Sequence, residues 1–86
     1  MMEKHEILEV IKVNLTKVID ADFSTIDETQ PMAAYGANSL DVVDVVSMTM
    51  RQLKIKVPRT ELMNVKNMND LANLFYEYNK AKEPVL

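Results

Sequence analysis

The chain has 86 residues, a net charge of −3, one histidine and no cysteine. That length fits one small domain, and burying only about 60–65% of the unfolded surface leaves a core too thin for a deep, self-walled catalytic cleft. The missing cysteines exclude disulfides, with a lone histidine they remove the usual nucleophile–base pairs, and the acidic balance excludes a nucleic-acid binder that depends on a dominant positive field.

The N-terminal segment MMEKHEILEV is charged throughout and has no apolar signal region. No apolar run approaches the roughly 20 residues that span a bilayer. The expectation is a cytoplasmic protein without membrane contact, since absence of cysteine also suits a reducing compartment.

Residues 3–19 read as an amphipathic helix. Ile7, Ile11, Leu15 and Val18 recur at helical spacing, Leu8 and Ile19 widen the stripe, and charged residues take the other face. His5 falls in the polar first turn and reads as surface. Residues 20–38 form a long connection, punctuated by Pro31 and by Gly36, the chain's sole glycine. Loops of that length in small domains are often functional, and glycine permits positive φ or close approach by another group.

Residues 39–53 form a second helix. Leu40, Val43, Val46, Met50 and Leu53 mark one apolar stripe, and Val42, Val45 and Met48 add another. Its valines are weak helix formers, so tertiary packing must hold it. Pro58 breaks the pattern, residues 59–64 give one or two helical turns, and Asn67 N-caps a last helix from Met68 to Tyr78 with Asp70 at its third position. Met68, Leu71, Ala72, Phe75 and Tyr78 form its buried stripe. The expected architecture is all-α: three main helices, one short helix and a long first loop, with a domain over residues 1–80 and a frayed tail over 81–86.

Charge is unevenly distributed. Asp20, Asp22, Asp27, Glu28, Asp41 and Asp44 fall in residues 20–50 with no base, whereas Arg51, Lys54, Lys56, Arg59 and Lys66 follow against Glu61 alone. The basic segment fits either a solvated face or an interaction surface. Asp20-x-Asp22-x-Ser24 resembles the start of a calcium loop, but Thr25 and Pro31 stand where glycine and glutamate are required. No phosphate-binding loop, dinucleotide fingerprint or zinc-ligand cluster occurs, so no metal site is expected.

What remains is Gly36-Ala37-Asn38-Ser39-Leu40-Asp41, where the long loop meets the second helix. Asn38 is a good N-cap and Asp41 completes a capping box. Ser39 then sits in the first turn beside free backbone N–H groups, where dipole and hydrogen bonds favour a phosphate by about 0.3–2 kcal/mol. By local chemistry alone Ser39 is equally an ordinary helix-start serine.

The wider context resembles the bacterial acyl carrier proteins. Tyr35-Gly36-Ala37-Asn38-Ser39-Leu40-Asp41, the Val57-Pro58 step, Val65, and Asn67 before Met68 follow that family's pattern, and helix lengths extend the resemblance over nearly the whole chain. The resemblance implies that Ser39 receives 4′-phosphopantetheine from coenzyme A, installed by a phosphopantetheinyl transferase. It implies a monomeric, non-catalytic carrier whose arm presents acyl thioesters to ketosynthases, acyltransferases and reductases. Leu40, Asp41, Val43, Asp44 and Ser47 occupy the family's docking positions, Gly36 and Asn38 form the motif loop, and the interior between helices takes up part of the acyl chain. Met48, Met50, Met63 and Met68 are flexible enough for such repacking.

The chain departs from the family in three places. Asn38 replaces the usual aspartate, Ala33 and Ala34 lie where acids commonly precede the motif, and Met50-Arg51-Gln52 lacks the acidic cluster of fatty-acid carriers. Charge complementarity sets association rate and partner choice more than affinity. These departures point to a dedicated carrier of a specialised polyketide or unusual fatty-acid pathway, with housekeeping fatty-acid synthesis, a peptidyl or D-alanyl carrier, and an unmodified interaction module as alternatives.

Overall fold

A computed structural model describes residues 2–81. Within them lie four helices: α1 (Lys4–Val18), α2 (Ser39–Leu53), α3 (Arg59–Leu62) and α4 (Met68–Ala81). The all-α expectation holds, with three long helices and one short one. No helix among the described residues is long and apolar enough to cross a membrane.

Helix α1 is the centre of the packing, because it lies against both α2 and α4. Its Ile7, Ile11 and Leu15 are fully buried, and α4 answers with Met68, Leu71, Ala72 and Phe75, all fully buried. Both stripes follow the 3.6-residue period read from the sequence. Each fully buried aliphatic or aromatic side chain contributes roughly 1.5–3 kcal/mol. The Glu6 carboxylate starts α1 by accepting from the Glu3 N–H (2.8 Å).

Helix α4 continues past the expected end at Tyr78 through Ala81. The reason is Asn79, which is buried and whose Oδ1 accepts from the Met2 N–H (3.3 Å), tying the last turn to the start of the chain. Most of the tail expected to fray, residues 82–86, lies outside the described residues. At the other end, Asn67 Oδ1 caps α4 by accepting from the Asp70 N–H (2.7 Å). Asp70 reaches back to the Lys66 N–H (3.2 Å) rather than to that of Asn67.

The long connection is folded rather than slack. It contains two 3₁₀ turns, Phe23–Thr25 and Met32–Tyr35, and it buries Ile26, Met32 and Ala37. The Tyr35 hydroxyl accepts from the Asp27 N–H and donates to the Asp27 carbonyl (3.2 Å). The loop is also fastened to α4, whose Asn69 N–H donates to the Glu28 carbonyl (3.0 Å) while Asn67 Nδ2 donates to the Thr29 carbonyl (3.3 Å). Lys12 of α1 pairs with the Glu28 carboxylate at 3.0 Å and holds its pKa below the ordinary value. These ties fix where the loop delivers the chain to α2.

Helix α2 corrects the pattern reading. Leu40 and Val43, grouped by spacing with Val46, Met50 and Leu53, are instead 76% and 53% exposed. The buried face is Val45, Val46, Thr49 and Leu53. An helix that is apolar around more than half its circumference cannot signal which part faces the core, and here α1 selects the face. The polar member Thr49 is fully buried: its hydroxyl donates to the Val45 carbonyl (2.8 Å) and accepts from Asn14 Nδ2 (2.8 Å). Asn14 Nδ2 also donates to Gln52 Oε1 (3.0 Å), so a buried polar contact joins α1 to α2. An apolar-periodicity reading passes over both residues.

Candidate functional site

The loop–helix junction has the expected geometry. Gly36 ends the second 3₁₀ turn with φ 89° and ψ 5°. A Cβ placed there would meet nothing within 4 Å, so the left-handed backbone, and not close approach, is what requires glycine. Two residues on, Asn38 adopts an extended conformation and N-caps α2. Its Oδ1 accepts from the Asp41 N–H (2.9 Å), and Asp41 Oδ2 accepts from the Asn38 N–H (3.0 Å). This reciprocal box satisfies two backbone donors that a helix start would otherwise leave free.

Ser39 is therefore the first residue of α2, and it is exposed. Among the described residues its hydroxyl has no hydrogen-bond partner, and the N–H groups of Ser39 and Leu40 have no acceptor. A phosphodiester on that oxygen would meet the positive end of the α2 dipole without displacing an existing contact. The residues present fit a phosphopantetheine arm.

The expected docking positions lie together along α2. Leu40, Val43 and Asp44 are exposed, whereas Asp41 and Ser47 are half-buried. Beside them runs a cleft of about 380 Å³ between α2 and α3, floored by Met32, Val42, Val46 and Met50 and closed by Leu62 and Val65. Ser47 and Arg59 are its polar lining residues. The methionines separate: Met50 and Met63 line this cleft, with Met63 77% exposed, whereas Met68 is fully buried in the core and Met48 is half-buried outside it. Arg59 and Leu62 were not legible as lining residues, because only the tertiary placement of α3 beside this part of α2 brings them there. A shallower hollow of about 580 Å³ on the α1 side, including Asn14 and Gln52, lies toward the opposite end of α2, about 20 Å along the helix axis from Ser39. It has no part in the Ser39 site.

A family model described as a phosphopantetheine attachment site matches residues 7–75, from the first buried residue of α1 to the last large core residue of α4. The chain belongs to the acyl carrier protein family. It is 32% identical over 77 residues to the polyketide biosynthesis acyl-carrier-protein AcpK of Bacillus subtilis (strain 168), covering 88% of this chain and 94% of that one. Its fold matches, with a TM-score of 0.77 and 29% identity, the carrier in a crystal structure of the curacin biosynthetic pathway HMG synthase in complex with acetyl donor-ACP. That match covers 86% of this chain and 96% of the other. The cofactor of this acyl carrier protein is 4′-phosphopantetheine.

Proposed function

We propose that Ser39 carries the phosphopantetheine arm and that the protein is a dedicated, non-catalytic carrier of a polyketide pathway. The observation that carries the first part is the exposed, unpartnered Ser39 hydroxyl at the start of α2, in a chain matched along its core by the attachment-site family. A phosphopantetheinyl transferase would join the Ser39 oxygen to the phosphopantetheine phosphate of coenzyme A, releasing the 3′,5′-adenosine bisphosphate half. When bound, the arm supplies a terminal thiol for thioesters. The protein's own part is to hold the attachment oxygen clear of the fold and to present α2 beside it to ketosynthases, acyltransferases and reductases. The cleft between α2 and α3 is open to the short apolar part of a cargo. The proposed setting is cytoplasmic, the working form is a monomer, and the carrier unit is residues 1–80.

The polyketide assignment is supported by AcpK, and an acetyl-donor role by the carrier in the curacin-pathway HMG synthase complex; each is near 30% identical and matches nearly the whole chain. Within that setting the protein acts as a donor carrier, delivering an acetyl group to an HMG-synthase-type enzyme. The absence of an acidic cluster at the end of α2 agrees with a partner set other than that of fatty-acid carriers.

Intact-mass measurement after incubation with coenzyme A and a broad-specificity transferase tests the site. One phosphopantetheine should be gained by the wild type and none by Ser39→Ala. A wild-type chain that gains nothing, or an alanine variant that gains as much, overturns it. For the pathway, growth complementation of a strain lacking its fatty-acid carrier should fail, and full rescue would count against specialisation.

A further inference from the structure

The hollow of about 580 Å³ between α1 and the end of α2 is built around a buried amide. Asn14 is 1% exposed, and its Nδ2 uses both hydrogens, one on the Thr49 hydroxyl (2.8 Å) and one on Gln52 Oε1 (3.0 Å). Its Oδ1 is buried and has no hydrogen-bond partner among the described residues. Thr49 cannot supply one, because its hydroxyl proton is committed to the Val45 carbonyl (2.8 Å). A buried acceptor without a donor is rare and costly, so a donor entering the hollow recovers that penalty. Around Asn14 the lining is ordered along α1. Glu6 and Glu9 stand at one end, Val10 and Val13 with Leu53 of α2 in the middle, and Lys17 at the other end. Glu9 and Lys17 are exposed, and their eight-residue separation puts them about 12 Å apart along the axis. Neither has an ion-pair partner among the described residues.

We infer that this hollow binds an extended peptide segment of a partner protein, with a basic side chain toward Glu9, an apolar one over Val10 and Val13, and an acidic one toward Lys17. In an extended chain the N–H and C=O of one residue face the same neighbour. One residue of the segment therefore donates to Asn14 Oδ1 and accepts from Nδ2 once the exposed Gln52 side chain swings aside. Alternate residues of such a chain share a face, and four steps span about 13 Å. Its first, third and fifth side chains thus match the acidic, apolar and basic order of α1. Val13, 37% exposed, gives the middle side chain an apolar seat. Glu6 and Glu9 oppose a nucleic acid or an anionic bilayer, and a purely apolar ligand would leave Oδ1 unpaired. The hollow lies about 20 Å along α2 from Ser39, so a bound segment leaves the first turn of α2 uncovered. Such a contact tethers the carrier to one assembly and raises the effective concentration of its arm there. The site is independent of the donor-carrier reading, and neither falls with the other.

The test is a nuclear magnetic resonance titration of the isotope-labelled, full-length holo protein with the peptide acetyl-Lys-Ala-Leu-Ala-Asp-amide. Saturable shifts should appear at the Asn14 side-chain amide and at the backbone of Val13 and Lys17, with residues 39–43 unmoved. Lys17→Glu should raise Kd about fivefold or more by reversing an exposed charge. Val13→Asp should raise it about tenfold by placing a charge on the apolar seat. Lys66→Glu, with the same change in net charge away from the hollow, should bind as the wild type does. The peptide with its three central residues N-methylated should lose about tenfold in affinity, because it cannot donate to Asn14. Asn14→Leu would also sever the α1–α2 contacts, so the exposed variants and the methylated peptide carry the test, with circular dichroism to confirm folding. The inference is overturned if the wild type shows no saturable shifts, if the shifts centre on residues 39–43, or if Lys17→Glu or the methylated peptide binds unchanged. It is also overturned if sedimentation shows a wild-type dimer that Lys17→Glu abolishes, since the occupant would then be a second copy of this chain.

Discussion

The two sides of α2 face different environments, although both are rich in apolar residues. Toward α1, Val45 and Leu53 join a closed core with Ile7, Ile11, Leu15 and Phe75, none of them more than 4% exposed. Toward α3, Val43 and Met63 stand largely in solvent at an open cleft, and Leu40, next to Ser39 in the chain, is exposed as well. A small domain has little apolar surface to spare, so leaving these side chains uncovered costs stability that the closed side must supply. The division separates tasks. The α1–α4 side holds the fold, and on the proposed function the α2–α3 side is the one left for an arm, a cargo and a partner.

The comparison breaks most severely at Phe75. Phe75→Ala should cost about 3–5 kcal/mol by removing a fully buried ring. That is a large share of the 5–15 kcal/mol available to ordinary domains. Urea titration followed by circular dichroism should show a largely lost or strongly shifted transition. A cost below about 1 kcal/mol would mean that the closed side is not where stability resides.

At the loop–helix junction, Gly36→Ala should cost about 1–2 kcal/mol, from the left-handed backbone rather than from crowding. Gly36→Asn should recover part of that loss in the same titration, since asparagine tolerates that conformation. Removing the cap by Asn38→Ala should cost about 1 kcal/mol, and Asn38→Asp should leave stability within a few tenths of wild type. If Asn38→Asp also leaves the rate of phosphopantetheinylation unchanged, the charge at this position is irrelevant to the transferase.

On the open side, Leu40→Ser and Val43→Ser should each change stability by less than about 0.5 kcal/mol, because the native state does not bury these side chains. Acetyl transfer to a partner enzyme should nonetheless weaken. The smallest effect concerns the loop. Contact with Thr29 lowers the pKa of Asp27, and the Lys12 ammonium lowers that of Glu28. A carboxylate with a depressed folded pKa stabilises above its unfolded value and loses that contribution as pH falls through the folded value. Thermal midpoints should therefore be flat from pH 7 down to about 5 and fall below the ordinary Glu28 value of 4.5. Lys12→Met should flatten part of that fall, by well under 1 kcal/mol because the pair is partly exposed.

Much of this organisation was written locally in the chain. Helices α1 and α4 each have one apolar stripe and a polar remainder, so period alone assigned their buried faces. The junction was equally legible: Gly36, Asn38 and Asp41 each answer a backbone demand within a few residues, and together they place Ser39 at the first turn. Three features needed the tertiary structure. The orientation of α2 was ambiguous because its valines and leucines nearly encircle it, and only contact with α1 turned Leu40 and Val43 outward. The Asn14–Thr49 contact spans 35 residues of chain, a separation on which local periodicity is silent. The cleft exists because α3 residues are brought beside α2, with the Tyr78 hydroxyl of α4 bonded to Glu61 of α3. Local backbone chemistry thus determined where the proposed attachment serine stands, and long-range packing decided which apolar face beside it was left exposed.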